Sequence, residues 1–145
     1  MRLTQYTDFS IRVLIYVGLH PDRRCTIQEI AERYNISRNH LMKVVQQLAS
    51  AGFVTSVRGS GGGLTLPCAA DQINLADVVT EMEPDFAMVE CFRENNECVI
   101  TPVCPLAPML SRATRAFLDV LRDYTLADLL GESDASEMKL LLKPA

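Results

Sequence analysis

The chain has 145 residues, 48% of them apolar and 22% charged, with 14 Lys and Arg against 18 Asp and Glu for a net charge of −4. A chain of this length buries roughly 68–70% of its unfolded surface, so it can fold without disulfide or metal staples and is not disordered. No apolar stretch reaches the ~18 residues of a membrane span, and Met1–Asp8 lacks the basic start and apolar run of a secretory signal. Membrane insertion and export are therefore not expected, and a cytoplasmic location with reduced thiols is.

A first helix is expected from about Thr4 or Thr7 to His20, where Pro21-Asp22 stops it. Tyr6, Phe9, Val13, Tyr16 and Val17 recur there at helical spacing. Thr26-Ile27-Gln28-Glu29 has the form of a capping box, a hydroxyl with a carboxylate three residues on, and opens a short helix that breaks at Asn35. Ser37 is expected to cap a third helix that turns Leu41, Val44, Val45 and Leu48 inward and closes at Gly52 in the left-handed conformation. Phe53–Val57 alternates as a strand, Arg58–Gly63 is a turn, and Leu64–Leu66 is a return strand.

Asn74 caps a further helix, Leu75–Met82, ended by Pro84, and Asp85–Cys104 shows no period. From Pro105 a long helix resumes, with Leu106, Met109, Leu110, Ala113, Phe117, Val120, Leu121 and Tyr124 in one stripe. Thr125–Asp128 begins a short turn, followed by polar Glu132–Glu137 and apolar Met138–Leu142. The expected fold class is mainly α with a small β wing. Residues 1–83 form the head, 84–104 an irregular loop, 105–131 the long helix with a short one after it, and 132–145 a tail.

The span Ile27–Leu48 reads as a helix-turn-helix. Small Ala31 stands where two helices must cross, Ile30, Tyr34, Ile36, Leu41 and Val44 supply buried contacts, and Asn35 sits where the turn needs positive φ. In such a unit the second helix enters the DNA major groove by its N-terminal residues, here Ser37, Arg38, Asn39, His40 and Lys43. Arg can bond guanine and Asn adenine, while Ser and Lys can hold phosphates. The hairpin becomes a wing with Arg58 at its glycine-rich tip, suited to a minor groove. Charge agrees: residues 1–66 hold eight basic and four acidic side chains, a net of +4, and residues 67–145 hold six and fourteen, a net of −8.

Five cysteines are odd in number and too sparse for a disulfide scaffold. Cys91, Cys98 and Cys104 share the irregular segment, whose flexibility lets thiols converge on one metal centre; C-x2-C pairs typical of structural zinc are absent. An iron–sulfur cluster, a zinc ion and a redox thiol are all open on this pattern, and three thiols fall one short of the usual four for a cluster. Cys25 and Cys68 read as small packing residues.

Leu3–Asp8, Ser37–Val44, Val57–Gly63, Ile100–Cys104 and Tyr124–Leu129 together resemble the nitric-oxide-sensing repressors of a bacterial family of small winged-helix regulators. The resemblance covers nearly the whole chain. It implies a homodimer paired through the long helix and an iron–sulfur cluster on Cys91, Cys98 and Cys104, 4Fe–4S or 2Fe–2S. In some members an acidic residue matching Asp8 completes the cluster from the partner subunit. Residues alone give Asp8 a simpler place, in a helix's first turn beside Arg12; with Asp8 as ligand, Arg12 would support it. The iron–sulfur-status regulators of the same family, the IscR type, use a His three residues after the third Cys, where this chain has Ala107.

The function expected is a repressor that binds pseudo-palindromic operator DNA as a dimer and releases it when nitric oxide attacks or removes the cluster, derepressing nitric-oxide detoxification genes. The alternatives are an IscR-type regulator and a zinc-dependent winged-helix regulator. An electron-transfer protein needs neither a helix-turn-helix nor a wing. An enzyme is not expected, because His20 and His40 have no evident nucleophile pairing and no phosphate-loop motif is present.

Overall fold

In a computed structural model of the chain, which describes residues 2–143, helix α1 (Gln5–Gly18) starts at Thr4, whose hydroxyl accepts the Thr7 N–H. Val13, Leu14, Tyr16 and Val17 fill one face of α1 and lie at the centre of the core. Helix α2 (Ile27–Tyr34) is capped by Thr26, whose hydroxyl accepts the Glu29 N–H and donates to the Glu29 carboxylate; the other carboxylate oxygen takes Arg23 at 2.7 Å. Glu29 is partly withdrawn from water, which alone would raise its pKa, but the bonds from Arg23 and Thr26 outweigh this and hold the carboxyl below its usual range.

The turn into α3 (Arg38–Ser50) is built on Asn35, at φ 51 and ψ 48. The Ile36 N–H then reaches back to the Ala31 carbonyl at 2.9 Å, which aims the second helix across the first. Ser37 occupies the cap position of α3 but makes no capping bond, contrary to expectation. The chain comes off left-handed Asn35 into φ −55 and ψ 126 there, and the hydroxyl stays on the exposed side. At the far end the Gly52 N–H bonds the Ala49 carbonyl and the Phe53 N–H bonds the Leu48 carbonyl, with Gly52 at φ 81.

That closure explains why the strands are shorter than the sequence pattern. Phe53 serves the helix end and Val54 is buried in the core, so pairing begins only at β1 (Thr55–Val57), antiparallel to β2 (Gly63–Thr65), with Ser56 opposite Leu64. Cys25 adds a bridge on the other side of Leu64, through two backbone bonds of 2.8 and 3.0 Å. Cys25 is fully buried, and burial pushes its thiol up to about 11. Cys68, by contrast, is exposed; the packing role expected for it fails because the chain after β2 runs over the surface.

A 3-10 turn, Ala70–Gln72, leads to α4 (Leu75–Met82), capped by Asn74 through its bond to the Ala76 N–H. Residues 83–105 are irregular apart from a 3-10 turn at Glu90–Phe92. Helix α5 (Leu106–Arg122) then carries no buried residue. Its C-terminal end is sewn back to the head: Asn74 Nδ2 donates to the Arg122 carbonyl, and the Leu75 N–H to the Tyr124 carbonyl. Helix α6 (Leu126–Leu129) drops Leu126 into the core. The segment after it, which has no evident structure in sequence, forms α7 (Glu132–Leu141); residues 1 and 144–145, the ends of the expected head and tail, lie outside the described residues. No helix among the described residues is long and apolar enough to cross a membrane.

The left-handed turn residue makes a direct test. Asn35→Gly should leave unfolding free energy unchanged or slightly raised, whereas Asn35→Val should lower it by about 1–2 kcal/mol in urea titrations, since a β-branched side chain clashes at φ 51.

Candidate functional site

The outer face of the head is the side of α3 that does not meet the core. Leu41, Val44, Val45 and Leu48 are buried, which turns Ser37, Arg38, Asn39, Met42 and Lys43 outward. All five are exposed, while His40 is half-buried with its ring edge-on to Phe9 of α1, centroids 5.1 Å apart. Arg38 and Met42 of α3, Gln28 of α2, and Arg58 with the wing strands all line one open cleft of about 1000 Å³. The structure thus brings Arg38 and Arg58, 20 positions apart in sequence, to the lining of one cleft that also includes the buried Val45 and Val54.

The wing tip is shaped by backbone proximity. A side chain at Gly62 would place its Cβ 2.3 Å from the Val57 carbonyl, so only glycine fits there. Arg24, absent from the sequence-based site, holds the tip from outside by donating to the Gly61 carbonyl at 2.9 Å. Nothing local in the sequence marks it; its partner is 37 positions away.

Behind the outer face of α3, α1 supports that helix at two points. Tyr6 donates its hydroxyl to the Lys43 carbonyl at 2.7 Å, and Phe9 meets His40. Asp8 lies between these two residues in sequence and pairs with Arg12 at 2.8 Å; both side chains are nearly half exposed. The Arg12 guanidinium also stands 5.8 Å from the ring centroids of Phe9 and Tyr34. Burial pushes the Tyr34 phenol up to about 12, opposed by Arg12. An exposed pair at this spacing is worth about 0.3–0.5 kcal/mol, so Asp8 can leave Arg12 at little cost.

Cys91, Cys98 and Cys104 are free and half-buried on the irregular loop. Cys91 is in the 3-10 turn, and Cys104 precedes Pro105 at the start of α5. The Cys98 N–H is held by Asn96 at 3.0 Å and its carbonyl by Thr101 at 2.8 Å. In kind, three free thiols suit a thiolate-bound iron–sulfur cluster. They are not gathered in the single chain: among the described residues no three Cys, His, Asp or Glu side chains stand together to hold a metal ion.

Residues 3–132 match the Rrf2 family, described as an iron-dependent transcriptional regulator. The chain is 48% identical over 143 residues to the HTH-type transcriptional regulator NsrR of Bacillus subtilis, covering 97% of each. It is 44% identical over 136 residues to the regulator of the same name from Bacillus licheniformis, covering 92% of this chain and 95% of that one. In fold it matches the structure of T. potens IscR with a TM-score of 0.74 at 22% identity, over 95% of this chain and 92% of the other.

Two substitutions test whether the outer face of α3 meets DNA. Arg38→Ala should cost about 1–3 kcal/mol of operator affinity and relax preference at one base position. Lys43→Ala should weaken binding to every sequence and reduce the salt slope by about one. Unchanged operator affinity in both variants would show that this face does not meet DNA.

Proposed function

The chain belongs to the Rrf2 family of transcriptional regulators, so it is a DNA-binding regulator with a winged helix and not an enzyme. From that premise we propose that it is a dimeric repressor that senses nitric oxide through an iron–sulfur cluster held on Cys91, Cys98 and Cys104, completed by Asp8 of the partner subunit. The observation that carries this reading is the set of three free thiols on one irregular loop, joined to a head whose first helix bears a lightly held carboxylate.

The division of labour follows the chain: residues 1–83 read DNA, 84–104 hold the cluster, 105–131 pair the subunits and 132–145 form the tail. Ser37, Arg38, Asn39, His40, Lys43 and Arg58 face the operator. When bound, a cluster supplies iron with which nitric oxide reacts, and either 4Fe–4S or 2Fe–2S chemistry is served by three thiolates and one oxygen. The rest falls to the chain's own side chains. Asp8, once released, returns to Arg12, and the link between one subunit's α1 and its partner's cysteine loop is lost. Because Tyr6 and Phe9 flank Asp8 and touch α3, movement of α1 re-aims the recognition helix. The two heads then lose the spacing of roughly 34 Å that half-sites one DNA turn apart require.

Dimerisation is supported by α5. Leu106, Met109 and Val120 are 47%, 61% and 58% exposed, and Tyr124 just beyond the helix is 49% exposed. Covering such side chains contributes roughly 1.5–3 kcal/mol each when complete, and a second copy of the same stripe fits the same apolar chemistry. Met109→Asp combined with Val120→Arg should give a monomer in sedimentation velocity and lose operator affinity; a dimer persisting in that variant would place the interface elsewhere.

The cluster and its signal are tested together. Protein purified without oxygen should be coloured and lose its thiolate-to-iron absorption in proportion to added nitric oxide. Asp8→Ala should bind iron but respond at a different nitric oxide dose. Colourless, iron-free protein from iron-replete cells refutes the cluster, and an unchanged response in Asp8→Ala refutes the bridge.

A further inference from the structure

Glu83 is the last residue before Pro84 and the irregular segment, and it is also the C-terminal boundary of α4. Its backbone is set at φ −82 and ψ 126, the extended geometry that a following proline imposes. Its carboxylate does not point to solvent. Both oxygens accept the Thr4 N–H at 3.2 Å, one accepts the Thr4 hydroxyl at 3.2 Å, and the same oxygen accepts the Thr7 hydroxyl. Thr7 is fully buried and Glu83 half-buried, so this bond is partly withdrawn from water, which strengthens a charge-assisted hydrogen bond. The first turn of α1 is therefore held by a side chain 76 to 79 positions away.

The same turn supports the DNA-reading helix. Tyr6, between Thr4 and Thr7, bonds the Lys43 carbonyl, and Gln47 of α3 donates to the Glu81 carbonyl near the end of α4 at 3.1 Å. The end of α4, the start of α1 and the middle of α3 thus form a closed ring of contacts, and the cysteine loop leaves from one point on it. We infer that Glu83 is a positioning residue: its carboxylate fastens the root of the cysteine loop to the first turn of α1, so that displacement of the loop is delivered through Tyr6 to α3. As a regulatory device this rests on the sensor reading above, but the mechanical link does not.

The test uses the full-length protein purified without oxygen, as wild type, Glu83→Ala, Glu83→Gln and Thr7→Val. Operator affinity is measured before and after a nitric oxide donor, alongside the visible spectrum and amide hydrogen exchange. Glu83→Ala should keep the cluster absorption but reduce the ratio of the two affinities roughly fivefold or more, within the range of ordinary coupling between sites. Glu83→Gln keeps the size and one acceptor oxygen and should recover part of that ratio. Thr7→Val should lower it too, and the Glu83→Ala/Thr7→Val double variant should lose less than the two single losses combined, because both remove one contact.

Exchange should rise at the first turn of α1 and around Lys43 in Glu83→Ala. A wild-type affinity ratio in Glu83→Ala with coloured protein overturns the regulatory role. If wild type itself is colourless and unresponsive, the sensor reading has failed separately, and exchange on the metal-free protein decides the link: faster exchange at Lys43 supports it, and unchanged exchange there overturns it. Should Glu83→Ala not fold, Glu83→Gln and Thr7→Val carry the same comparison, and wild-type ratios in both overturn the proposal.

Discussion

Val13, Leu14, Tyr16 and Val17 on α1 are removed from water almost entirely, and α3, α4 and α6 are all organised against this one helix. At roughly 1.5–3 kcal/mol for each fully buried apolar side chain, this contact outweighs any single polar interaction in the head. The two buried polar groups it drags inside are both satisfied: Ser10 donates to the Tyr6 carbonyl at 2.8 Å and Thr7 to Glu83. The inner face of the helix is thus fixed by packing, while the outer side carries Asp8 and Arg12 in a weak, nearly half-exposed pair beside the partly buried Ile11 and Ile15.

Features set by a residue's own neighbours were legible in the sequence. Asn35 takes the left-handed turn because the polar side chain tolerates it, and Gly52 closes α3 as expected. Thr26 and Asn74 cap as their spacing indicates, and α4 falls on Leu75–Met82 as expected. Ser37 shows the limit of that reasoning: the residue type and position are right for a cap, but its hydroxyl makes no capping bond. Cys68 looked like a packing residue because small sulfur side chains are usually buried, and only the course of the chain after β2 shows it to be outside.

The candidate site divides the same way. The outward set Ser37, Arg38, Asn39 and Lys43 follows from helical period once Leu41, Val44 and Leu48 are known to be inside. That Arg38 and Arg58 line one cleft depends on where the wing folds back, and no local pattern encodes that. Arg24, Tyr6 and Glu83 were invisible for the same reason. Arg24 and Tyr6 each act through a side-chain hydrogen bond to a residue far along the chain and Glu83 through several, and such bonds leave no periodicity. The apolar stripe of α5 was read correctly as a stripe, yet its exposure could be seen only in three dimensions.

The backbone bridge between Cys25 and Leu64 has a bearing on how the molecule opens and closes in time. A two-stranded ribbon with three residue pairs is marginal in water on its own. Here its inner strand is also bonded to a segment 39 positions earlier, ahead of α2, and Leu64 is buried beneath it. The ribbon therefore belongs to the same cooperative unit as the helices and cannot melt by itself while the core stays intact. The hairpin itself closes locally, but its anchorage through the Cys25 bridge needs a loop of 39 positions to close, which is the entropically costlier contact. A nascent chain becomes competent to grip DNA only when its whole head is complete.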